Sequence, residues 1–343
     1  MNRRVTQQDI ADQLGMDKST VSLALRDNPA ITPATRKRVH AMAEKLGYRP
    51  DPALAALARQ RWAGHETGSG AVLAYLIDSR MKNASQHLDF LPAARHRAEA
   101  RGYQLRVFDL AEHPSVKAFS RILYHRGIRG LLVPQFAHTA GPGILELPVD
   151  NLTIVCLELG WVPMPFHIVA PDDFEATRRA WHEAIKRGYD RIGGAVLFHT
   201  PPAVNDASRY GSAASIQLEQ FTVRQRVPLL TSGPKDRDRF VRWLERYEPK
   251  VVIGFVSTLQ DWIRSTGRRV PEDVAFVSLG VSVAKTPEVS GILRQLDSIG
   301  TVGVDALIAA MRENEWGVPT LQRKLLIEPV WHEGSTLPRR IEA

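Results

Sequence analysis

Val5-Thr6-Gln7-Gln8-Asp9-Ile10-Ala11-Asp12-Gln13-Leu14-Gly15-Met16-Asp17-Lys18-Ser19-Thr20-Val21-Ser22-Leu23-Ala24-Leu25 reads as two short helices joined by a tight turn. Thr6 offers a hydroxyl to exposed backbone N–H groups and Asp9 stands three residues on, the spacing of a capping box. Ile10, Ala11 and Leu14 follow at helical intervals. Gly15 ends this helix, Met16 fills the turn, and Asp17 is placed to cap a second helix running to about residue 26, with Val21 and Leu25 on one face. Thr32-Pro33 opens a third helix with a capping hydroxyl and a proline at the first helical position. Val39, Met42, Ala43 and Leu46 face inward and Gly47 stops it. Three such helices close a very small core, and the short loop between the first two is the helix-turn-helix arrangement.

Charge supports that reading. The chain has 343 residues with 45 Lys+Arg and 37 Asp+Glu, a net of +8. Residues 1–62 hold eleven bases and six acids, +5, which leaves 34 and 31, +3, for the rest. A basic head of this kind suits a polyanion, or else is a solvated surface. The second helix of a helix-turn-helix fits the major groove with its first residues on base edges. Lys18, Ser19, Ser22 and Leu23 form that outward group: a donor to guanine or phosphate, two adaptable hydroxyls, and an apolar contact suited to a thymine methyl. Thr6, Thr20, Thr32, Thr35 and Arg36 lie near helix starts, where they hold phosphates or simply cap.

The ordered segments Val5-Thr6-Gln7-Gln8-Asp9-Ile10-Ala11, Ser19-Thr20-Val21-Ser22-Leu23-Ala24-Leu25, Thr35-Arg36-Lys37-Arg38-Val39 and Leu46-Gly47-Tyr48-Arg49-Pro50 resemble the DNA-binding head of LacI-family transcriptional regulators. The resemblance implies that Thr6, Lys18, Ser19 and Leu23 contact the operator, with Asp17, Arg26 and Tyr48 completing the DNA-binding set. Leu23 stands where the family often has Arg, and Arg26 where it often has Asn, so a distinct operator sequence is expected. Asp51-Pro52-Ala53-Leu54-Ala55-Ala56-Leu57 suits a helix start followed by helix-favouring alanines. By the same resemblance it is the hinge helix, with Leu57 as the wedge that enters the minor groove and Ala53 as the small residue before it; the alternative is a linker helix packed on the body. The expected division is a helix-turn-helix domain at 1–50, a hinge at 51–62, a Gly/Ser-containing linker at 63–70 and a body at 71–343.

The body alternates apolar, strand-length runs with helical stretches, the pattern of buried parallel sheets. Strands are expected at 71–77, 105–110, 130–134, 152–157, 167–170, 191–198, 227–231, 251–256, 274–279 and 324–327. That is too many for one compact unit, so the expectation is an all-α head on an α/β body of two parallel-sheet subdomains. Gly188-Tyr189-Asp190-Arg191-Ile192-Gly193, Pro271-Glu272-Asp273-Val274-Ala275 and Leu296-Asp297-Ser298-Ile299-Gly300 resemble links in the family's periplasmic-binding-protein-like body. The resemblance implies one subdomain of about 71–170 plus 295–318, and a second of about 171–294 plus 319–335.

Ligands of open parallel sheets sit beyond the carboxyl ends of the strands. Asp78, Phe90, Gln135, Phe136, Glu158, Asp172, Arg209 and Gln295 occupy such places, and Trp161 and Tyr210 suit stacking on a sugar ring. The resemblance implies that Glu158, Asp172 and Arg209 contact an effector, Arg209 by a fork onto ligand oxygens; alternatively Glu158 and Arg209 form an ion pair and Trp161 packs. Two polar elements common in sugar-binding members are replaced by Phe255-Val256-Ser257-Thr258 and Ser278-Leu279-Gly280, so the effector differs from the usual sugars or the pocket has lost one.

Other classes fit less well. No Gly-rich phosphate loop follows the first strand and no nucleophile-elbow or zinc-protease motif occurs, so no enzyme, cofactor or metal is expected. The single cysteine, Cys156, excludes a disulfide framework. No apolar run reaches membrane-spanning length and the first residues lack a signal-peptide core, so a cytoplasmic protein is expected rather than a solute-binding protein. The expected function is a homodimeric, repressor-type regulator that reads a pseudo-palindromic double-stranded operator under control of a small-molecule effector. A DNA-binding protein that has lost such control is the alternative.

Overall fold

The computed structural model describes residues 5–25, 31–48, 71–80, 88–113, 115–134, 149–159, 164–197, 203–232, 236–254 and 258–340. The chain divides into two compact units, Met1–Ser69 and Gly70–Ala343.

The first unit contains α1 (Gln7–Leu14), α2 (Lys18–Ala24) and α3 (Pro33–Lys45). The capping box forms: Thr6 Oγ1 accepts the Asp9 N–H at 3.4 Å, and Asp9 Oδ2 accepts the Thr6 N–H at 2.7 Å. Gly15 and Gly47 take left-handed conformations with φ of 61° and 68°. This lets the next N–H turn back onto the helix, Met16 to Ala11 O and Tyr48 to Ala43 O, and so stops α1 and α3. Asp17 holds the N-cap position of α2 without a side-chain hydrogen bond to its helix. Ile10, Ala11, Val21, Ala24, Val39 and Ala43 are buried together, with Leu14, Met16, Leu25 and Tyr48 packed around them.

The second unit holds two six-stranded sheets. The first is built from β1 (Ala71–Ile77), β2 (Tyr103–Asp109), β3 (Gly130–Pro134), β4 (Thr153–Leu157), β5 (His167–Pro171) and β11 (Lys324–Ile327). Its spatial order is β11-β5-β4-β3-β1-β2, and every pairing is parallel. The second is built from β6 (Ile192–Leu197), β7 (Leu230–Ser232), β8 (Val251–Gly254), β9 (Ala275–Val281), β10 (Gly291–Leu293) and β12 (Trp331–His332). Its order is β12-β10-β9-β8-β6-β7, parallel except for the last pair, β10 with β12. The β1–β5 winding is thus repeated in β6–β10. Helices α4 (Leu91–Ala100), α5 (Val116–His125), α6 (Asp173–Lys186), α7 (Val204–Gln220), α8 (Arg237–Tyr247), α9 (Thr258–Arg264) and α10 (Leu296–Arg312) connect the strands.

Successive residues of β1 feed opposite faces, as the pleat requires: Leu73 and Tyr75 join one core with Leu307 and Ile308 of α10, whereas Ala74 and Leu76 join another with Phe119 of α5. Cys156 belongs to the latter core, and burial pushes its thiol up to about 12, so it packs as a small hydrophobe. Residues 172, 294–295 and 328–330 carry the chain between the two sheets. The sequence expectation assigned 319–335 wholly to the second subdomain; instead β11 adds to the first sheet beside β5, and only β12 joins the second. The reason lies in its outward residues: Leu325 and Leu326 are 40% and 50% exposed, so β11 is a covering edge strand rather than a central one. β10 and β12 were not foreseen in the sequence, being only three and two residues long.

Candidate functional site

The head places its polar side chains as a groove-reading helix requires. Val21 and Ala24 are buried while Lys18 and Ser19 are exposed and Thr20, Ser22 and Leu23 are partly exposed. Burial of one face against α1 and α3 therefore fixes which side chains of α2 face outward. Thr32 Oγ1 accepts the Thr35 N–H at 3.3 Å and lies 2.9 Å from Thr35 Oγ1, so both threonines are engaged at the start of α3. Arg36 is half-buried and Tyr48 packs on the core. Arg26, Ala53 and Leu57 lie outside the described residues.

The body gathers a charged cluster where the two sheets' carboxyl ends and the intervening helix starts converge. Arg209, on the second turn of α7, is buried; its Nε donates to Asp173 Oδ1 at 3.0 Å and its Nη1 to Asp206 Oδ1 at 3.1 Å. Asp206 is fully buried, and its second oxygen accepts the Ala203 N–H at 3.1 Å. Burial pushes the Asp173 carboxyl up, against the pull of the Arg209 charge and hydrogen bond. Asp172 Oδ1 caps α6 by accepting the Glu175 N–H at 2.9 Å.

Glu158 follows β4 and anchors its backbone by donating its N–H to Val169 O at 2.8 Å. It adopts a left-handed φ of 68°, unusual for a residue with a Cβ and a mark of functional positions. Its carboxyl is pushed up to about 7, first by burial; Arg294 and Arg209 pull it down, while Asp173 and Asp89 push it further up. Tyr75 on β1 lies within reach of the same charges: burial, then Asp89 and Glu158, raise its phenol. Asp89, just before α4, accepts a hydrogen bond at 3.4 Å from Arg294 Nη2 on the β10–α10 crossover. That pair ties one subdomain to the other.

Not every residue expected in the cleft is available to a ligand. Asp78 is buried and held by Arg80, Nε to Oδ1 at 2.8 Å and Nη2 to Oδ2 at 2.6 Å. Phe90 is buried in the core shared by α4 and α10. Glu158 and Arg209 do not form the alternative ion pair; the partners of Arg209 include Asp173 and Asp206. Gln295 stands at the N-cap of α10, and Tyr210 is 38% exposed on α7. Gln135, Phe136 and Trp161 lie outside the described residues. Asp89, Asp173, Asp206, Arg294 and Tyr75 were missed. Adjacency offered a signal for two of them, Asp173 next to Asp172 and Arg294 next to Gln295. Among the described residues no group of acids, histidines and cysteine is placed to hold a metal ion, and no helix is long and apolar enough to cross a membrane.

Comparison with known proteins places this geometry. Residues 6–51 match the family model described as bacterial regulatory proteins, lacI family. The probable HTH-type transcriptional repressor ExuR of Bacillus subtilis (strain 168) is 23% identical over 326 residues, covering 91% of this chain and 93% of that protein. The HTH-type transcriptional regulator GntR of Escherichia coli (strain K12) is also 23% identical, covering 90% and 93%. Among solved structures, the transcriptional regulator CelR–cellobiose complex aligns with a TM-score of 0.57 at 18% identity over 97% of this chain and 100% of that one. The lac repressor dimer bound to operator and the anti-inducer ONPF aligns with a TM-score of 0.56 at 16% identity over 98% and 100%. The matched head, the relatives spanning head and body alike, and the twofold-wound parallel sheets agree: residues 6–51 are a lacI-family DNA-binding head, and over head and body alike the chain is similar to helix-turn-helix regulators of transcription.

Proposed function

We propose that the protein is a homodimeric repressor that reads a pseudo-palindromic operator with α2 and is switched by a small-molecule effector held between the body subdomains. The observation that carries the DNA half is α2 itself, with Val21 and Ala24 sealed into the core and Lys18 and Ser19 turned outward. Two such helices, one per subunit, fit successive major grooves. Leu57 of each hinge enters the central minor groove, and the few kcal/mol spent on unstacking is offset by wider contact. The lac repressor, solved as an operator-bound dimer, supports this arrangement, and ExuR, named as a probable repressor, supports the direction of control.

The effector half rests on Glu158, Asp173, Arg209 and Arg294 converging at the carboxyl ends of both sheets. The CelR–cellobiose complex, a regulator of the same fold holding a disaccharide, supports a small polyhydroxylated effector. Binding there closes the subdomains on the ligand, repacks the dimer contacts and alters hinge order, a coupling between two distinct sites. Selection of bound duplexes from a randomised pool tests the reading. An inverted-repeat consensus is expected, together with its loss in the Lys18→Ala/Ser19→Ala double variant. Absence of any consensus would overturn the assignment, and an unchanged consensus in the variant would remove α2 from base reading.

A further inference from the structure

Helix α5 presents an outward face that works against its own stability. Lys117, Arg121, Tyr124 and His125 recur at helical spacing and are exposed, while Phe119 and Leu123 on the opposite side are sealed into the core shared with the first sheet. Lys117 stands in the first turn, where the helix dipole favours an acid and α5 has none. Arg121 follows it four residues on, the spacing at which like charges repel. Neither cation is paired with a carboxylate of a described residue. The two guanidinium groups beyond the helix end are turned onto rings instead, Arg126 at 5.7 Å from the centre of Phe108 and Arg129 at 5.6 Å from that of Trp316. From His113 to Leu145 the chain has four Lys+Arg and no Asp or Glu, in a body whose 34 Lys+Arg are nearly balanced by 31 Asp+Glu. Local repulsion left uncompensated in this way marks a functional surface rather than a solvated one.

We propose that this face of α5 is a second, sequence-independent contact for double-stranded DNA, one that holds the phosphate backbone outside the bases read by α2. The inference rests on the reading of the protein as an operator-binding regulator and goes beyond it. Ammonium, guanidinium, phenol and imidazole groups all donate to phosphate oxygens, and the face carries no carboxylate to repel them. From Lys117 to His125 the helix rises about 12 Å, the axial span of about four phosphates of one strand. An acidic protein is normally anchored by a desolvated apolar centre, whereas Tyr124, 76% exposed and edge-on to the His125 ring at 5.7 Å, stands alone on a charged face. Once α2 is docked, the duplex is tethered to the same chain, so the second contact forms at high effective concentration.

The test is binding of the full chain to a selected operator extended by about two helical turns on each side, and to a scrambled duplex of equal length, between about 50 and 200 mM salt. In Lys117→Gln/Arg121→Gln, affinity for both duplexes is expected to fall about tenfold or more at the low-salt end. The slope of log affinity against log salt should become shallower by about two per subunit, with the preference for operator over scrambled sequence unchanged. Thermal melting checks the fold: with the repulsion removed, Tm is expected to equal or exceed that of the parent. Lys117→Arg/Arg121→Lys, which keeps both charges, should retain the parent's slope. Parental affinity and slope in the glutamine variant would overturn the inference and leave the face to an acidic protein or an anionic lipid surface. Loss of operator preference along with affinity would trace the damage to the head and overturn it equally. Failure of the unaltered chain to bind either duplex would overturn the operator reading itself, and this inference with it.

Discussion

Glu158→Gln isolates the energetic cost of the carboxylate at the end of β4. In the folded chain its pKa is raised from 4.5 to about 7, chiefly by burial. A carboxyl raised in this way favours folding while protonated: the contribution is complete below the unfolded value and disappears as pH rises through about 7. Above that pH the native state must carry an ionised, poorly solvated carboxylate. At ~1.4 kcal/mol for each tenfold change in proton affinity the full penalty at pH 8 is ~3 kcal/mol, and partial solvent access at Glu158 reduces it to about 2 kcal/mol. Glutamine keeps the shape and never ionises. The variant is therefore expected to be about 2 kcal/mol more stable than the parent at pH 8, with the difference shrinking to about 0.5 kcal/mol or less at pH 5. Paired urea denaturation at constant ionic strength, followed by intrinsic fluorescence at the two pH values, measures it. Groups outside this charged cluster titrate alike in both proteins and cancel. A stability difference independent of pH, or a variant less stable than its parent at pH 8, would refute the burial argument for this side chain.

Removing Arg209 should be costly: Arg209→Ala leaves Asp173 and Asp206 buried without their cation, a loss of ~3–5 kcal/mol measurable as a lower urea midpoint of the body. Thr6→Ala deletes the capping box and should cost about 1 kcal/mol, read as faster amide exchange across the first turn of α1. Gly300→Ala should destabilise by about 1–3 kcal/mol, because its Cβ would stand 2.5 Å from the Phe90 carbonyl and push α10 off α4; a neutral result would mean that the two helices separate freely.

The head was readable because its signals are local. Thr6 with Asp9, the Gly15 turn and Thr32-Pro33 each act within four residues, and the helices begin and end where those residues demand. The central strands were readable because burial on both faces leaves unbroken apolar runs such as Ile154-Val155-Cys156-Leu157. Edge elements carry less information. Lys324–Ile327 is short and half-exposed, so its sequence does not say which sheet it joins, and Gly291–Leu293 is too short to stand out from a turn. The cleft was legible residue by residue but not in its pairing. Asp173 and Arg209 lie 36 positions apart, and only the packing of α6 beside α7 brings them to 3.0 Å. Phe90 illustrates the opposite error: its place beside a helix start at a strand's carboxyl end suggests a ligand contact, yet it is drawn into the core under α10.

The three passages of the chain between the sheets bear on how the protein is made. The first sheet needs β11, and α10 covers one of its faces, so that subdomain is incomplete until residue 327 has been synthesised. The second sheet waits a few residues longer for β12. At ~5–20 residues per second, tens of seconds at most separate the end of α3 from the closure of either sheet. Throughout that interval the newborn chain displays a finished three-helix head, stabilised by contacts within its own first fifty residues, on a body with two open sheet edges. The order of synthesis thus produces the module that reads DNA before the module that answers to a ligand.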